Sequence, residues 1–494
     1  MINRYSFVII VFVHSIFLFS CKKDIDHPTT PDSSQSRTDE QLIKDSIYYY
    51  YKLYSLWEES VPKYDDISKF TDTITSQQNV LNRLKAFTPS YAPYSNYGGQ
   101  YDRFSYFSDL STTVGSNAKL KMDNNDGYGL FFQWGAIDSQ TAYPFLYMVE
   151  RGSPADNAGL NRSDMVLNLN GIDTKIVVDC SSGTCNVVDR EKYNTILTEL
   201  RTSLTRASMK IKIQKVNNQT EDHDLSFSTY EIDPLLSDTV FEFANKNVGY
   251  VAYSSFEQIE NNNANKSNLD RVFDDFASKN VKDLIVDLRY NGGGYVDAAV
   301  YFADKIINSS GQNKLMLSYE LNTYLSKNKN AASSTFKDVY YSKNNKLELD
   351  NVCFIVSNNT ASAAEMLINV LKPYMNVKIV AEGTSTFGKP VGFFEQKIMN
   401  KVGLWVTSFR LLNANGQSDY WLGLAADKTN VTDYIFTDFA VKEERMIAAA
   451  LSYAGVVEKA SNKATRTVAS KSVKSMIVMD EVNRITAKGA LKIQ

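Results

Sequence analysis

The stretch from Asn351 to Thr384, "NVCFIVSNNTASAAEMLINVLKPYMNVKIVAEGT", decides the fold. It opens on a short apolar run, "NVCFIVS", with the length and branched content of a buried strand. A helix follows in "SAAEMLINVLKPYM", then a second strand in "VKIVAEGT". Working outward, the same alternation begins at Asn247. "NVGYVAYSSF" reads as a strand, "NLDRVFDDFASK" as an amphipathic helix, "VKDLIVDLRYNGGG" as a buried strand ending in a glycine turn, and "VDAAVYFADKIIN" as a helix. Strands alternating with helices imply parallel β-α units and hence an α/β core. Beyond it, "KVGLWVTSFRLLNANGQ" reads as antiparallel and "FAVKEERMIAAALSYA" as a late helix.

The flanks have different patterns. From Thr112 to Asn218 short strands are punctuated by glycine turns. "GYGLFFQW" (Gly127 to Trp134) is a glycine loop running into a strand, and "SMKIKIQKV" alternates as a half-buried strand does. "DREKYNTILTELRTS" between them is a helix. From Asp39 to Leu110 the pattern is helical and rich in tyrosine, as expected of a packed helical hairpin. At the start, Arg4 precedes the apolar run Tyr5 to Ser20, too short for a comfortable membrane span, and a polar Pro/Ser/Thr-rich tether follows it. The expected divisions are 1–20 targeting segment, 21–40 tether, 41–111 helical region, 112–218 strand-rich domain, 219–455 α/β core and 456–494 tail, which is polar, mixed and unassigned.

The chain's 494 residues are too many for one core. A net charge of −3 argues against a nucleic-acid partner. Four cysteines are present. Cys180 and Cys185 flank the turn "SSGT", which a disulfide would close; two free thiols in a surface hairpin are the other reading. Cys353 reads as a buried hydrophobe. No cysteine spacing suggests zinc, and no metal or cofactor is expected.

Which chemistry is available follows from histidine usage. Of three histidines, His14 and His27 lie in the targeting segment and tether, and His223 sits in a charged context typical of a loop or strand edge. Ser362, Ala363, Ala364 and Glu365 spell S-x-x-E, a helix capping box, so Ser362 is either a cap or a nucleophile whose proton goes elsewhere. A lysine takes that proton only if burial makes it neutral near pH 7. Lys389, between Gly388 and Pro390 with aromatic neighbours, has the surroundings for this, although a solvated turn lysine is the commoner fate of that setting. Ser362 at a helix start has free N–H groups and the positive dipole end beside it, as an oxyanion needs. "RYNGGGY" (Arg289 to Tyr295) brings more backbone N–H groups within reach of a ligand. Neither glycine spacing matches a nucleotide-binding loop.

Taken in order, four segments resemble the C-terminal processing peptidases, serine peptidases of the tail-specific protease family S41. "GYGL" with "VERGSPADNAGLNRSDMVLNLNG" resembles that family's PDZ domain, "LIVDLRYNGGG" its D-L-R-x-N-x-G-G segment, "TASAAE" its nucleophile segment and "TFGK" the segment of its general-base lysine. The likeness spans roughly Thr112 to Asp433. It implies a mixed-sheet α/β serine peptidase core of the ClpP/crotonase-like kind with a PDZ domain and an N-terminal helical region.

By the same resemblance Ser362 is the nucleophile, Lys389 the general base and Glu365 a support for the lysine, with Gly293 and Ala363 supplying the oxyanion N–H groups. Gly127, Tyr128, Gly129 and Leu130 would hold a peptide, with strand addition and a carboxylate in the loop. "GSPADNAGL" is structural, with Pro154, Ala155 and Ala158 packing a short helix. One departure stands out: many bacterial members carry glutamine where this chain has Phe393. Leu18 to Cys21 resembles a bacterial lipobox, which implies lipidation of Cys21, a membrane anchor and a cell-envelope location, periplasmic or outer-membrane. The expected activity is cleavage of unfolded or C-terminal protein segments; the alternative is a peptide-binding scaffold on the same fold with weak or no catalysis.

Overall fold

Five strands form the central sheet of the computed structural model, which describes residues 37–109, 124–260, 263–327, 329, 335–457 and 477–481. They are β1 (Leu235–Glu242), β2 (Asn247–Tyr253), β3 (Val281–Asp287), β4 (Asn351–Val356) and β5 (Asn376–Ala381), side by side in that order. β2 to β5 are parallel, and β1 closes one edge antiparallel to β2. Successive side chains point to opposite faces. Val286, Val352 and Phe354 pack beneath α1 (Ala264–Ser278), α2 (Val296–Ile306) and α3 (Ala363–Leu371). Ile285, Cys353 and Ile355 face α4 (Arg445–Leu451) on the other side. Both faces are therefore covered, which is why these strands read as continuous apolar runs.

The N-terminal helices Asp39–Tyr54 and Gln77–Lys85 bury Ile43, Ile47, Tyr51, Val80 and Leu84 against Leu404 and Val406. The region read as helical through residue 111 ends instead in a strand. Tyr106–Asp109 pairs antiparallel with Val402–Trp405, and the Tyr106 and Trp405 rings stack across the pair at 5.8 Å. "KVGLWVTSFRLLNANGQ" is antiparallel, but its two strands join different sheets. The break falls at buried Thr407, whose N–H donates to Ser105 Oγ (2.9 Å) and whose Oγ1 donates to Asp102 Oδ1 (2.9 Å).

The strand-rich domain is a sheet in the order Thr220–Ser226, Ser208–Gln214, Met165–Leu169, Thr141–Val149, Leu130–Ala136 and Ile477–Glu481. Met209, Ile211 and Ile213 point inward and the helix Arg190–Ser203 packs on them through Ile196 and Leu200. Cys180 and Cys185 are joined in a disulfide at the turn end of the hairpin formed by Ile176–Asp179 and Asn186–Val187. The last strand belongs to the tail that sequence left unassigned. The domain meets the core through Phe145, Tyr147 and Met148 against Tyr290, Ile435 and Phe436. Cys21, the targeting segment and most of the tether and tail lie outside the described residues.

Candidate active site

The parallel strands β2 to β5 end at one edge of the central sheet, where open α/β sheets place their ligands. The segments that leave it there are tied to one another. Asn291 Nδ2 donates to Tyr253 O at 3.0 Å, Thr360 Oγ1 to Leu288 O at 2.7 Å, Ala361 N to Asn291 O at 3.3 Å, and Phe387 N to Thr360 O at 2.9 Å. Ser362, Glu365, Lys389, Gly293 and Ala363 all belong to this cluster of segments.

Ser362 precedes the first residue of α3 and is 6% exposed. Its backbone has φ 57° and ψ −117°, a sparsely populated conformation for a side chain-bearing residue that costs about 1–3 kcal/mol. Glu365, one turn into the helix and fully buried, holds that geometry. Its Oε2 accepts the Ser362 N–H at 2.9 Å and the Lys389 N–H at 2.8 Å. Its Oε1 accepts the Gly388 N–H at 2.7 Å and the Thr386 hydroxyl at 2.5 Å. One carboxylate oxygen thus bridges the backbones of Ser362 and Lys389. Burial raises the Glu365 pKa, and the four donors act in the opposite direction.

Lys389 is 6% exposed and forms no ion pair among the described residues. Its ammonium nitrogen lies over the Phe393 ring, 4.3 Å from the centroid. Burial lowers its pKa to about 7, with Glu365 opposing and Arg103 reinforcing the fall. Lys389 is therefore placed in a desolvated pocket rather than in a solvated turn. Glu365 grips the lysine's backbone rather than its side chain, and Phe393, at the position of departure, supplies the surface on which Nζ rests. A Cβ at Gly388 (φ +89°) would stand 2.3 Å from Trp421 O, so the turn that delivers Lys389 needs glycine.

The glycine turn is set differently from the expectation for an oxyanion site. Gly294 (φ +146°) passes so close to Phe256 that a Cβ would lie 2.2 Å from its carbonyl oxygen. The Gly293 N–H donates to Asn291 Oδ1 at 2.8 Å, closing an Asx turn, so this donor is engaged. Ala363, the first residue of α3, has an N–H with no acceptor inside its helix.

Two features carry no local signal in the sequence. Arg103 lies over the rings of Tyr94, Tyr97, Phe104 and Phe387 at 4.3–4.8 Å and donates through Nη2 to the carbonyls of Phe387 and Gly388, each at 3.3 Å. The N-terminal region therefore clamps the lysine segment. Behind the glycine turn, Arg162 of the strand-rich domain donates to Asp433 Oδ1 (2.6 Å), to Tyr147 O (2.7 Å) and to the Tyr290 hydroxyl. Asp433 also accepts from Arg289 (2.7 Å) and from Tyr290.

The peptide-loop candidates lie elsewhere, in the strand-rich domain. Gly127 ends the strand Asn124–Gly127, and Leu130 opens Leu130–Ala136. Tyr128 and Leu130 are buried. Tyr128 O accepts from Ala155 N at 3.1 Å and Gly129 O from Glu150 N at 2.9 Å, so the short helix Pro154–Asn157 props the loop. His223 sits in the edge strand Thr220–Ser226 with Nε2 3.2 Å from Glu221.

Residues 247–427 match the model of Peptidase family S41. The chain is 25% identical over 286 residues to the carboxy-terminal processing protease CtpA of Bacillus subtilis (strain 168), covering 58% of this chain and 53% of that protein. It is 25% identical over 285 residues to a candidate CtpA-like serine protease of Staphylococcus aureus (strain N315), covering 56% and 48%. The match spans about half the length of these curated relatives. Among solved structures, a candidate S41 protease from Bacteroides fragilis NCTC 9343 superposes with a TM-score of 0.56 at 19% identity, over 86% of this chain and 98% of that one. The fold is thus the mixed α/β arrangement of that structure.

Proposed function

We propose that the protein is a serine endopeptidase that works through Ser362 and Lys389. The observation that carries this reading is the Glu365 bridge, with Ser362 N and Lys389 N on one oxygen and a buried lysine whose pKa falls to about 7. At neutral pH a substantial fraction of Lys389 is then an amine. Ser362 Oγ attacks the scissile carbonyl carbon, and its proton passes to Nζ. The Ala363 N–H, and the Gly293 N–H once it leaves Asn291 Oδ1, donate to the oxyanion. The C–N bond breaks as Nζ returns the proton to the departing amine. Water then repeats the sequence on the acyl-enzyme, giving its proton to Nζ and releasing Ser362.

The substrates are unfolded or C-terminal protein segments. The domain containing Gly127–Leu130 acts as a PDZ module that captures them by strand addition. Cys21 carries a lipid that anchors the protein in the cell envelope, which metabolic labelling with a radioactive fatty acid tests, Cys21→Ser being the unlabelled control. For catalysis, the test is hydrolysis of an unstructured protein by the wild type, Ser362→Ala and Lys389→Ala. Activity confined to the wild type is the expected result; equal rates in all three would overturn the proposal.

A second reading, a peptide-binding scaffold with weak or no catalysis, is favoured by one observation. The Gly293 N–H is engaged with Asn291, leaving Ala363 as the donor without an acceptor at the Ser362 end. Covalent labelling of Ser362 by a fluorophosphonate separates the two, since a scaffold without an activated serine is not labelled.

A further inference from the structure

Strand Leu130–Ala136 follows the glycine loop directly and would be the edge of its sheet but for one further strand. Ile477–Glu481 lies antiparallel on it, with Ile477 opposite Ala136, Val478 opposite Gly135 and Glu481 opposite Gln133. Gln133 Nε2 donates to Met479 O at 3.2 Å. The tail side chains alternate as a strand requires. Ile477 and Met479 pack on the cluster that contains Phe132, Trp134, Ile196 and Leu200, whereas Val478 packs on the cluster of Phe145 and Tyr147. As the tail runs from Ile477 to Glu481 its partners run from Ala136 back to Gln133, so it heads toward the Gly127–Leu130 loop. That is the polarity of a peptide whose carboxyl end approaches the loop.

We infer that Ile477–Glu481 is a ligand in cis for this sheet edge. External ligands of the same site are extended peptides with apolar side chains at alternate positions, as in Ile-Val-Met, and they compete with the chain's own strand. The inference rests on reading Gly127–Leu130 as a peptide-capturing loop. Main-chain pairing fixes an added strand, and the alternate side chains select it. Because the competitor is part of the same chain, its effective concentration at the edge is on the order of millimolar. A free peptide of micromolar intrinsic affinity is then disfavoured by a large factor until the tail is displaced.

The test is fluorescence anisotropy with a labelled peptide of sequence SMIVMDE, titrated with the full chain and with the Ile477→Asp/Met479→Asp double variant. A control peptide carries aspartate at the same two apolar positions. Val478→Pro, which disrupts strand pairing without placing charge against the cluster, gives an independent readout, and thermal melting verifies that each variant is folded. The expected result is binding to both variants at least tenfold tighter than to the unaltered chain, with the control peptide binding none of them. Equal affinity for the unaltered chain and the variants would overturn the cis-ligand inference while leaving peptide capture intact. Failure of the peptide to bind any folded form would overturn both.

Discussion

Two sets of buried cations in this molecule meet opposite fates. Arg289 and Arg162 lie behind the glycine turn and Lys389 lies in front of it. Burial works against the charge at all three. At Arg289 the carboxylates of Asp287, Glu444 and Asp433 outweigh burial and hold the pKa above the ordinary arginine value; Asp433 does the same for Arg162. Asp433 in turn is held down to about 2, burial opposed by its two arginines. Lys389 forms no ion pair among the described residues, and Glu365, the nearest carboxylate in effect, gives its oxygens to backbone donors instead. Desolvation therefore wins. Pairing keeps a buried cation charged, and withholding a partner lets burial lower its pKa toward neutrality.

The largest expected effect tests the second half of that contrast. Ser362→Ala and Lys389→Met should each lower peptide hydrolysis by at least ~10³-fold, because nucleophile and base act as a unit. Lys389→Arg should be as inactive, since a guanidinium keeps its proton. Assays on an unstructured protein substrate check this, and measurable hydrolysis by Lys389→Arg would break the comparison.

The first half is tested by stability. Asp433→Ala leaves Arg162 and Arg289 short of a shared buried partner and should cost about 3–5 kcal/mol in urea unfolding. The glycine turn should loosen with it, because Tyr290 precedes Asn291 and also donates to Asp433.

Lys389 should show the reverse sign. Its folded pKa, about 7, lies below the ordinary lysine value of 10.5. Between those values the unfolded chain binds the extra proton, so stability rises with pH across that window. Below the folded pKa the protonated lysine is buried at full penalty. Lys389→Met should therefore stabilise the protein most in mildly acidic solution, with the gain shrinking as pH rises. A gain that grows with pH would contradict the assignment.

Arg103 should give the smallest effect. It lowers the Lys389 pKa and holds the Phe387 and Gly388 carbonyls. Arg103→Ala should cut kcat roughly tenfold, the size of one lost charge-assisted contact, and move the acidic limb of the pH profile upward. Arg103→Lys should restore the limb more than the rate. A rate loss with an unmoved limb would assign Arg103 a purely structural role.

These contrasts were unevenly legible in the sequence. The α/β core was readable because β3 and β4 are buried on both faces and so carry the apolar runs Leu284–Val286 and Val352–Val356. The segments that carry Ser362, Glu365 and Lys389 were readable as short local patterns, and the Glu365 hydrogen bonds bring them together. The Arg162–Asp433 pair joins residues 271 apart and Arg103 acts on residues 284 and 285 away, which no local pattern reveals. The engagement of Gly293 had a signal in Asn291, since asparagine two residues before a glycine favours an Asx turn. The tail strand had one too, in the apolar Ile477-Val478-Met479 run, but the polar residues around it masked the pattern. The strand Tyr106–Asp109 was missed because its partner, Val402–Trp405, lies far along the chain.

The most direct measurement is the rate at which a fluorophosphonate phosphonylates Ser362 with loss of fluoride, followed across the neutral pH range in the wild type and in His223→Gln. His223 is the one histidine among the described residues and lies in the strand-rich domain, so it should not contribute. The account predicts a rate that rises with pH, half-maximal near the Lys389 pKa of about 7, and unchanged by His223→Gln. A half-maximum in the ordinary lysine range near ~10.4, or a profile that depends on His223, would contradict it.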